Sequence, residues 1–187
     1  VCTGLGTQLV ADPALIIPDD SKSILQGAIQ ASGFSNVKDD SISRMYFEAL
    51  AKKYKFSLSQ PVRELSKEAM DAILYGTGTE KLTIYYERAN GRGVLERPFE
   101  GVLNNISRRY AETQSEAMHK ELEDCMAERP CPKCRGKRLN EITLAVTVGG
   151  MNIMDFCDLP ISDELEFMNN LRLDGSMAGV ADQILRE

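Results

Sequence analysis

Apolar residues recur at helical spacing along several stretches of the chain. Met45, Phe47, Leu50, Ala51 and Tyr54 share one face and predict a helix over about 43–54. Ser66 stands where a helix cap belongs, and Met70, Ile73 and Leu74 carry the next helix to a stop at Gly76. Val102, Leu103, Ile106, Tyr110, Met118 and Leu122 predict one long helix from Phe99 to about Ala127. Its polar face holds Arg108, Arg109, Lys120 and several glutamates. Asp19-Asp20-Ser21 can cap a shorter helix from Ile24 to Ala31, closed by Gly33.

Between these stretches the pattern changes. Lys81–Arg88 is β-branched and aromatic, Asn90-Gly91 is a turn signal, and Gly93–Arg97 returns as a second strand that Pro98 ends. Two prolines bracket Asp12–Pro18, which reads as a short strand or extended arm. Ile142–Val148 is the clearest strand signal, turned by Gly149-Gly150. A short segment starts at Ile153–Phe156, a helix capped by Ser162 runs to near Leu173, and a last helix is expected after Ser176. The fold class predicted is therefore α+β: helical segments with a β-hairpin.

At 187 residues and 43 % apolar content, the chain suffices for one domain or two small ones with a real core. No apolar run approaches the length of a membrane span, and no stretch reads as a signal peptide. The net charge of −6 and pI near 5.0 exclude a protein that coats nucleic acid over its whole surface, but leave room for a local basic patch. Of the five cysteines, Cys125 and Cys157 stand alone and read as small buried hydrophobes. Nothing suggests a disulfide framework, so a reducing compartment is expected.

The other three cysteines belong to two Cys-x-Gly turns. Cys131-Pro132-Lys133-Cys134-Arg135-Gly136 is a full Cys-x-x-Cys-x-Gly knuckle, and Cys2-Thr3-Gly4 has the form of a second one lacking its first cysteine. Two such knuckles supply four thiolates, the ligand set of a closed tetrahedral zinc site. The glycine after each second cysteine permits a tight turn that aims backbone N–H groups at sulfur. Because the missing cysteine would fall before Val1, the chain is expected to be a piece of a larger protein. The competing reading of the knuckle is a metal-free turn with reduced thiols. His119, the one histidine, lies on the predicted long helix and reads as a solvated helix residue rather than a fourth ligand.

Six separated strings agree in order with one family. They are Cys2-x-Gly4-Leu5-Gly6 with Asp12-Pro13 and Ile16-Ile17-Pro18; Leu74-Tyr75-Gly76-x-Gly78; Pro98-Phe99-Glu100-Gly101-Val102; Arg108-Arg109-Tyr110-x-Glu112-Thr113-x-Ser115; Cys131-Pro132-x-Cys134-x-Gly136-x-Arg138-Leu139; and Phe167-Met168-Asn169-Asn170-Leu171. Together they make the chain resemble the UvrA component of the bacterial UvrABC excinuclease over essentially its whole length. The resemblance implies an insertion domain of an ABC-type ATPase flanked by a zinc module and part of its first signature domain. The implied boundaries are a zinc-knuckle remnant at 1–9, a DNA-binding insertion domain at 10–127, a second knuckle at 128–140 and part of signature domain I at 141–187. It implies structural zinc on Cys2, Cys131 and Cys134, completed by a cysteine upstream, and a bacterial cytoplasmic setting. It also implies damaged double-stranded DNA as partner. ATP, the UvrA homodimer and UvrB would engage the full-length protein outside this chain. No phosphate loop and no Leu-Ser-Gly-Gly string occurs here, so the piece is expected not to be an enzyme by itself.

Two basic clusters are candidate DNA contacts. One is the knuckle, with Lys133, Arg135, Lys137 and Arg138 beside Arg129. The other is the hairpin and following helix, with Arg88, Arg92, Arg97, Arg108 and Arg109 among Tyr85, Tyr86 and Tyr110, and with Arg92 expected at the turn. The structural alternatives are that Arg138 and its neighbours anchor the knuckle, that Arg108 and Arg109 pair with Glu112 and Glu116, and that one of Tyr85 and Tyr86 packs inward. At the level of function, the alternative to DNA contact is a regulatory or protein-interaction insertion that gates DNA or docks another repair subunit. A third reading is a purely structural zinc module.

Overall fold

The structure, a computed structural model, describes residues 2–38, 41–88, 91–173, 178–179, 181 and 183. The chain divides into two units, one of Leu9–Glu128 and one of Val1–Gln8 with Arg129–Glu187. Strands β1 (Thr7–Ala11) and β4 (Met126–Pro130) pair as a two-stranded ribbon. The Asp12 N–H bonds Cys125 O at 2.9 Å at one end, and the Cys131 N–H bonds Gly6 O at 2.8 Å at the other, so the ribbon is antiparallel.

The Leu9–Glu128 unit opens with a difference from the sequence pattern. Pro13–Ile16 is not extended but a helical turn, α1, whose cap Asp12 accepts the Ala14 N–H at 2.9 Å. Proline at the first helical position has no N–H to lose, so Asp12-Pro13 starts a helix as readily as it breaks one. The helix expected over 24–31 shortens to a 3-10 turn at Ile24–Gln26, ended by Gly27 in the left-handed region at φ 80°. Helices α2 (Ile42–Tyr54) and α3 (Lys67–Tyr75) follow the periodicity, with Ser41 and Ser66 as caps. Met45, Phe47, Ala49 and Leu50 of α2 are buried.

The predicted long helix is two helices and a strand. α4 (Val102–Glu112) ends where Thr113 turns extended, and α5 (Glu116–Glu123) restarts under Ser115, whose hydroxyl accepts the Met118 N–H. Thr113 Oγ1 in turn accepts the Ser115 N–H at 3.2 Å. Hydroxyl side chains compete with the helical backbone for its own partners, and here they win. The core gathers Phe34, Phe47 and Phe99, with ring centroids 6.1–6.3 Å apart, beside Ile106 and Leu122.

Strands β2 (Lys81–Arg88) and β3 (Gly91–Pro98) form an antiparallel hairpin in register Lys81↔Pro98 through Arg88↔Gly91. Leu82 and Ile84 are buried in the core that α2 helps to build. The hairpin base is fixed by backbone packed on backbone. Gly76 (φ 91°) and Gly101 (φ 90°) face one another, and a side chain on either would collide with the other segment. The Thr77 N–H bonds Phe99 O at 2.9 Å, the Phe99 N–H bonds Thr77 Oγ1 at 3.0 Å, and Asn104 Nδ2 donates to Tyr75 O at 2.8 Å.

In the other unit, the expected strand 142–148 begins as helix and is extended only at its end. Asn140 caps α6 (Glu141–Leu144) by accepting the Thr143 N–H at 2.8 Å, and Glu141 sits in the first turn, so local capping outweighs β-propensity. Only β5 (Thr147–Val148) is extended, pairing with β6 (Met151–Asn152). α7 (Ile153–Cys157) and α8 (Ile161–Asn170) follow. Among the described residues, α6, α7 and α8 contain no buried side chain. The last helix expected after Ser176 falls largely outside the described residues.

Gly101→Ala should be severely destabilising. Its new Cβ would lie 2.7 Å from Leu74 O, on a backbone held at positive φ. A loss of roughly 2–4 kcal/mol should lower the melting temperature by about 10 °C or more, as read by circular dichroism. An unchanged melting temperature would show that this junction does not limit stability.

Candidate metal centre and nucleic-acid interface

The two Cys-x-Gly turns come together, as the resemblance implies. Gly4 (φ 94°) and Gly136 (φ 88°) both take the left-handed conformation that the turns require. Gly6 lies so close to the other turn that a Cβ on it would be 2.6 Å from Gly136 O. The sulfurs of Cys2, Cys131 and Cys134 lie within 4.8 Å of one another, with Cys2 and Cys134 at 3.6 Å. Sulfurs on a tetrahedral zinc with Zn–S of about 2.3 Å stand about 3.8 Å apart, so these three cysteines fit three corners of such a site.

Backbone donors favour thiolate at Cys131. The N–H groups of Cys134 and then Cys2 hold the Cys131 thiol down, to about 6. The Cys134 thiol is pushed up by desolvation, which outweighs the N–H groups of Arg138 and Gly136 that point at it. Cys131 is almost wholly buried while Cys2 and Cys134 are half-buried, as suits a structural centre. Zinc bound by these residues would supply a cross-link between the two turns.

The lone cysteines divide. Cys125 is buried as expected, its Sγ near Gln30 O at 3.4 Å, and burial pushes its thiol up. Cys157 is exposed, contrary to the expectation of a buried hydrophobe; it ends α7, which buries nothing. His119 is not a solvated residue. It is half-buried, stacks edge-on against Tyr110 at 4.6 Å and places Nε2 3.1 Å from Thr113 O.

The basic candidates separate into engaged and free groups. Arg108 donates to Glu100 at 2.6 and 3.0 Å and to Glu112 at 2.8 Å. The pairing with Glu112 follows helical spacing; Glu100 precedes the helix, and no periodicity marks it. Arg109 makes no ion pair with Glu116. It reaches Ser32 O at 2.8 Å and Ser32 Oγ at 3.3 Å, tying α4 to the loop before α2. Lys137 pairs with Asp155. The stem of Arg138, itself at positive φ, lies against Gly6, in keeping with an anchoring role for that stem.

Lys133, Arg135 and Arg138 are exposed around the knuckle, and Arg97 is exposed on β3. Arg92 is not at the turn but within β3, at the register position opposite Glu87. The side chains of Arg88 and Arg92 lie outside the described residues. Tyr85 and Tyr86 are both exposed, so neither packs inward. Tyr86 instead lies over Gly93, close enough that a Cβ there would meet its ring. Lys52, which no sequence signal singles out, places Nζ over the Tyr85 ring at 4.9 Å.

Comparison with known proteins adds three findings. A family model described as the UvrA DNA-binding domain matches residues 12–124. UvrABC system protein A of Clostridium perfringens is 40 % identical over 186 residues, and that of Clostridium tetani 42 % over 187, each across 100 % of this chain. The chain spans about a fifth of the length of these relatives (20 % of each). The crystal structure of UvrA2 from Deinococcus radiodurans superposes with a TM-score of 0.61 over 97 % of this chain and 24 % of that one, at 22 % identity. That likeness concerns the fold.

Two outcomes test this geometry. Cys134→Ser should weaken zinc binding, read by competition with a chromophoric chelator, by more than the roughly 10–100-fold typical of losing an outer-shell partner; equal affinity would remove Cys134 from the site. The second concerns acid. The Arg108 guanidinium holds the Glu100 carboxyl below its ordinary value. A depressed carboxylate contributes stability above its unfolded pKa of about 4.3, and loses it as pH falls through the lower folded value. Glu100→Gln should therefore flatten the acid limb of the stability–pH curve below about pH 4 and leave its shape above pH 6 unchanged.

Proposed function

The chain belongs to the UvrA family, and from that premise we propose that it is a DNA-binding segment of a longer excision-repair protein, acting on damaged duplex DNA. The observation that carries this reading is the match of the UvrA DNA-binding domain to residues 12–124, within the unit Leu9–Glu128 that holds its own core. The free cations Lys133, Arg135 and Arg138 at the knuckle, and Arg97 on the hairpin, supply contacts for phosphates, which dominate affinity and carry no sequence information. Arg88 and Arg92, candidates from the sequence, occupy register positions on β2 and β3. Arg108, Arg109 and Lys137 are assigned instead to holding the fold.

A protein that senses damage need not read bases. It can sense how readily a duplex bends or unwinds. Zinc on Cys2, Cys131 and Cys134 would serve structure, bringing a residue near the start of the chain to one 129 positions away. We assign ATP turnover, pairing with a second UvrA copy and docking of UvrB to the remainder of the longer relatives. No described helix is long and apolar enough to cross a membrane.

The test is fluorescence anisotropy of this chain with intact and lesion-bearing duplexes across a salt series. Salt-sensitive binding is expected, with log Kd rising by about 0.9 per phosphate neutralised for each tenfold rise in salt. Reversal of Arg97, Lys133, Arg135 and Arg138 to Glu should weaken binding to both duplexes and shallow the slope. No binding at low salt by folded protein would overturn the reading in favour of a gating or protein-docking insertion.

A further inference from the structure

The outer face of the hairpin carries an apolar pair where solvent-facing strands ordinarily carry polar residues. Tyr85 and Val94 stand directly opposite in the β2–β3 register and are 59 % and 57 % exposed. Alternation puts them on the face away from Leu82 and Ile84, which are buried. The Tyr85 ring is steadied by the Lys52 ammonium at 4.9 Å yet stays more than half open to solvent. An exposed aromatic held in one orientation is a surface for flat, electron-rich ligands.

The setting names the ligand class. The hairpin sequence holds Lys81, Arg88, Arg92 and Arg97 against Glu87 and Glu96, a basic excess within a chain of net charge −6. Lys52 and Lys55 close α2, the helix beside the hairpin, while Lys53 between them pairs with Glu80. A flat aromatic with an aliphatic neighbour and a cationic surround suits a polyanion whose planar groups are open to stacking. In an intact duplex those planes are covered; at a disrupted step they are not.

We infer that Tyr85, positioned by Lys52 and flanked by Val94, stacks on a base exposed where a DNA duplex is locally unpaired. This rests on the DNA-binding reading above and deepens it. Phosphate contacts hold any duplex, whereas Tyr85 distinguishes an opened one. Lys52 is a positioning residue: it orients the ring by its charge and lies where the strand's phosphates approach.

The test uses this chain with an intact duplex and the same duplex carrying a three-base bubble containing 5-iododeoxyuridine. Two substitutions are compared with the parent. Tyr85→Leu keeps an apolar partner for Val94 and so spares the hairpin, while Tyr85→Phe keeps the ring. The parent should prefer the bubble, and irradiation should cross-link the iodouracil to Tyr85, as located by mass spectrometry. Tyr85→Leu should lose about tenfold in bubble affinity, with intact-duplex affinity and salt slope unchanged, and Tyr85→Phe should restore the preference. Lys52→Met should reduce the cross-link yield without moving its site. If both duplexes bind but Tyr85→Leu leaves the bubble preference intact, or the cross-link maps elsewhere, this inference is overturned and the DNA-binding reading stands. If folded protein binds neither duplex at low salt, both fall.

Discussion

The hairpin is anchored where Gly76 and Gly101 bring two backbones into direct contact. No side chain separates them, so the end of α3 and the start of α4 are fixed against one another at van der Waals distance. From that contact the Thr77–Phe99 hydrogen bonds close the strand ends, and Phe99 is delivered into the aromatic centre of the core. Glu100 is held between Asn105 and Arg108, which fixes the same corner by charge. A junction made of backbone has few rotamers to lose and little room to yield. The hairpin therefore extends from a base that belongs to the core.

Charge is used in two ways across the basic residues. Arg108, Arg109 and Lys137 are committed to internal partners: carboxylates, a carbonyl and an aspartate respectively. The exposed ion pairs among these add little to stability, so their value lies in geometry, since each ties one element to another. Lys133, Arg135 and Arg97 have no such duty and present their charge outward. A net charge of −6 is thus compatible with a local cationic surface, because what matters is where the uncommitted cations sit.

Much of this was legible in the residues themselves. The helices α2 and α3 and the hairpin follow from periodicity and turn chemistry, and the family resemblance implied that Cys2 would meet Cys131 and Cys134. Three departures in secondary structure share a cause. Asp12 before Pro13, Ser115 after Thr113 and Asn140 before Glu141 each start a helix by side-chain capping, where the apolar pattern predicts a strand or an unbroken helix. Local capping of that kind is visible in sequence only as a possibility, because the same residues also make turns. Partnerships across the fold left no trace at all. Nothing in the sequence ties Arg109 to Ser32 or Lys52 to Tyr85, since neither pair shares an element.

The single hydrogen bond between Asp12 and Cys125 has an architectural meaning. It makes the more than one hundred residues from α1 to the end of α5 begin and end at the same place. To the rest of the polypeptide, such a unit is equivalent to the loop of a two-stranded ribbon. Loop-closure entropy grows only slowly with the length enclosed, and here the enclosed segment has a core of its own to offset the ordering. A segment joined in this way can be acquired, lengthened or moved between hosts with only one ribbon to rebuild, which makes it a natural unit of evolutionary exchange.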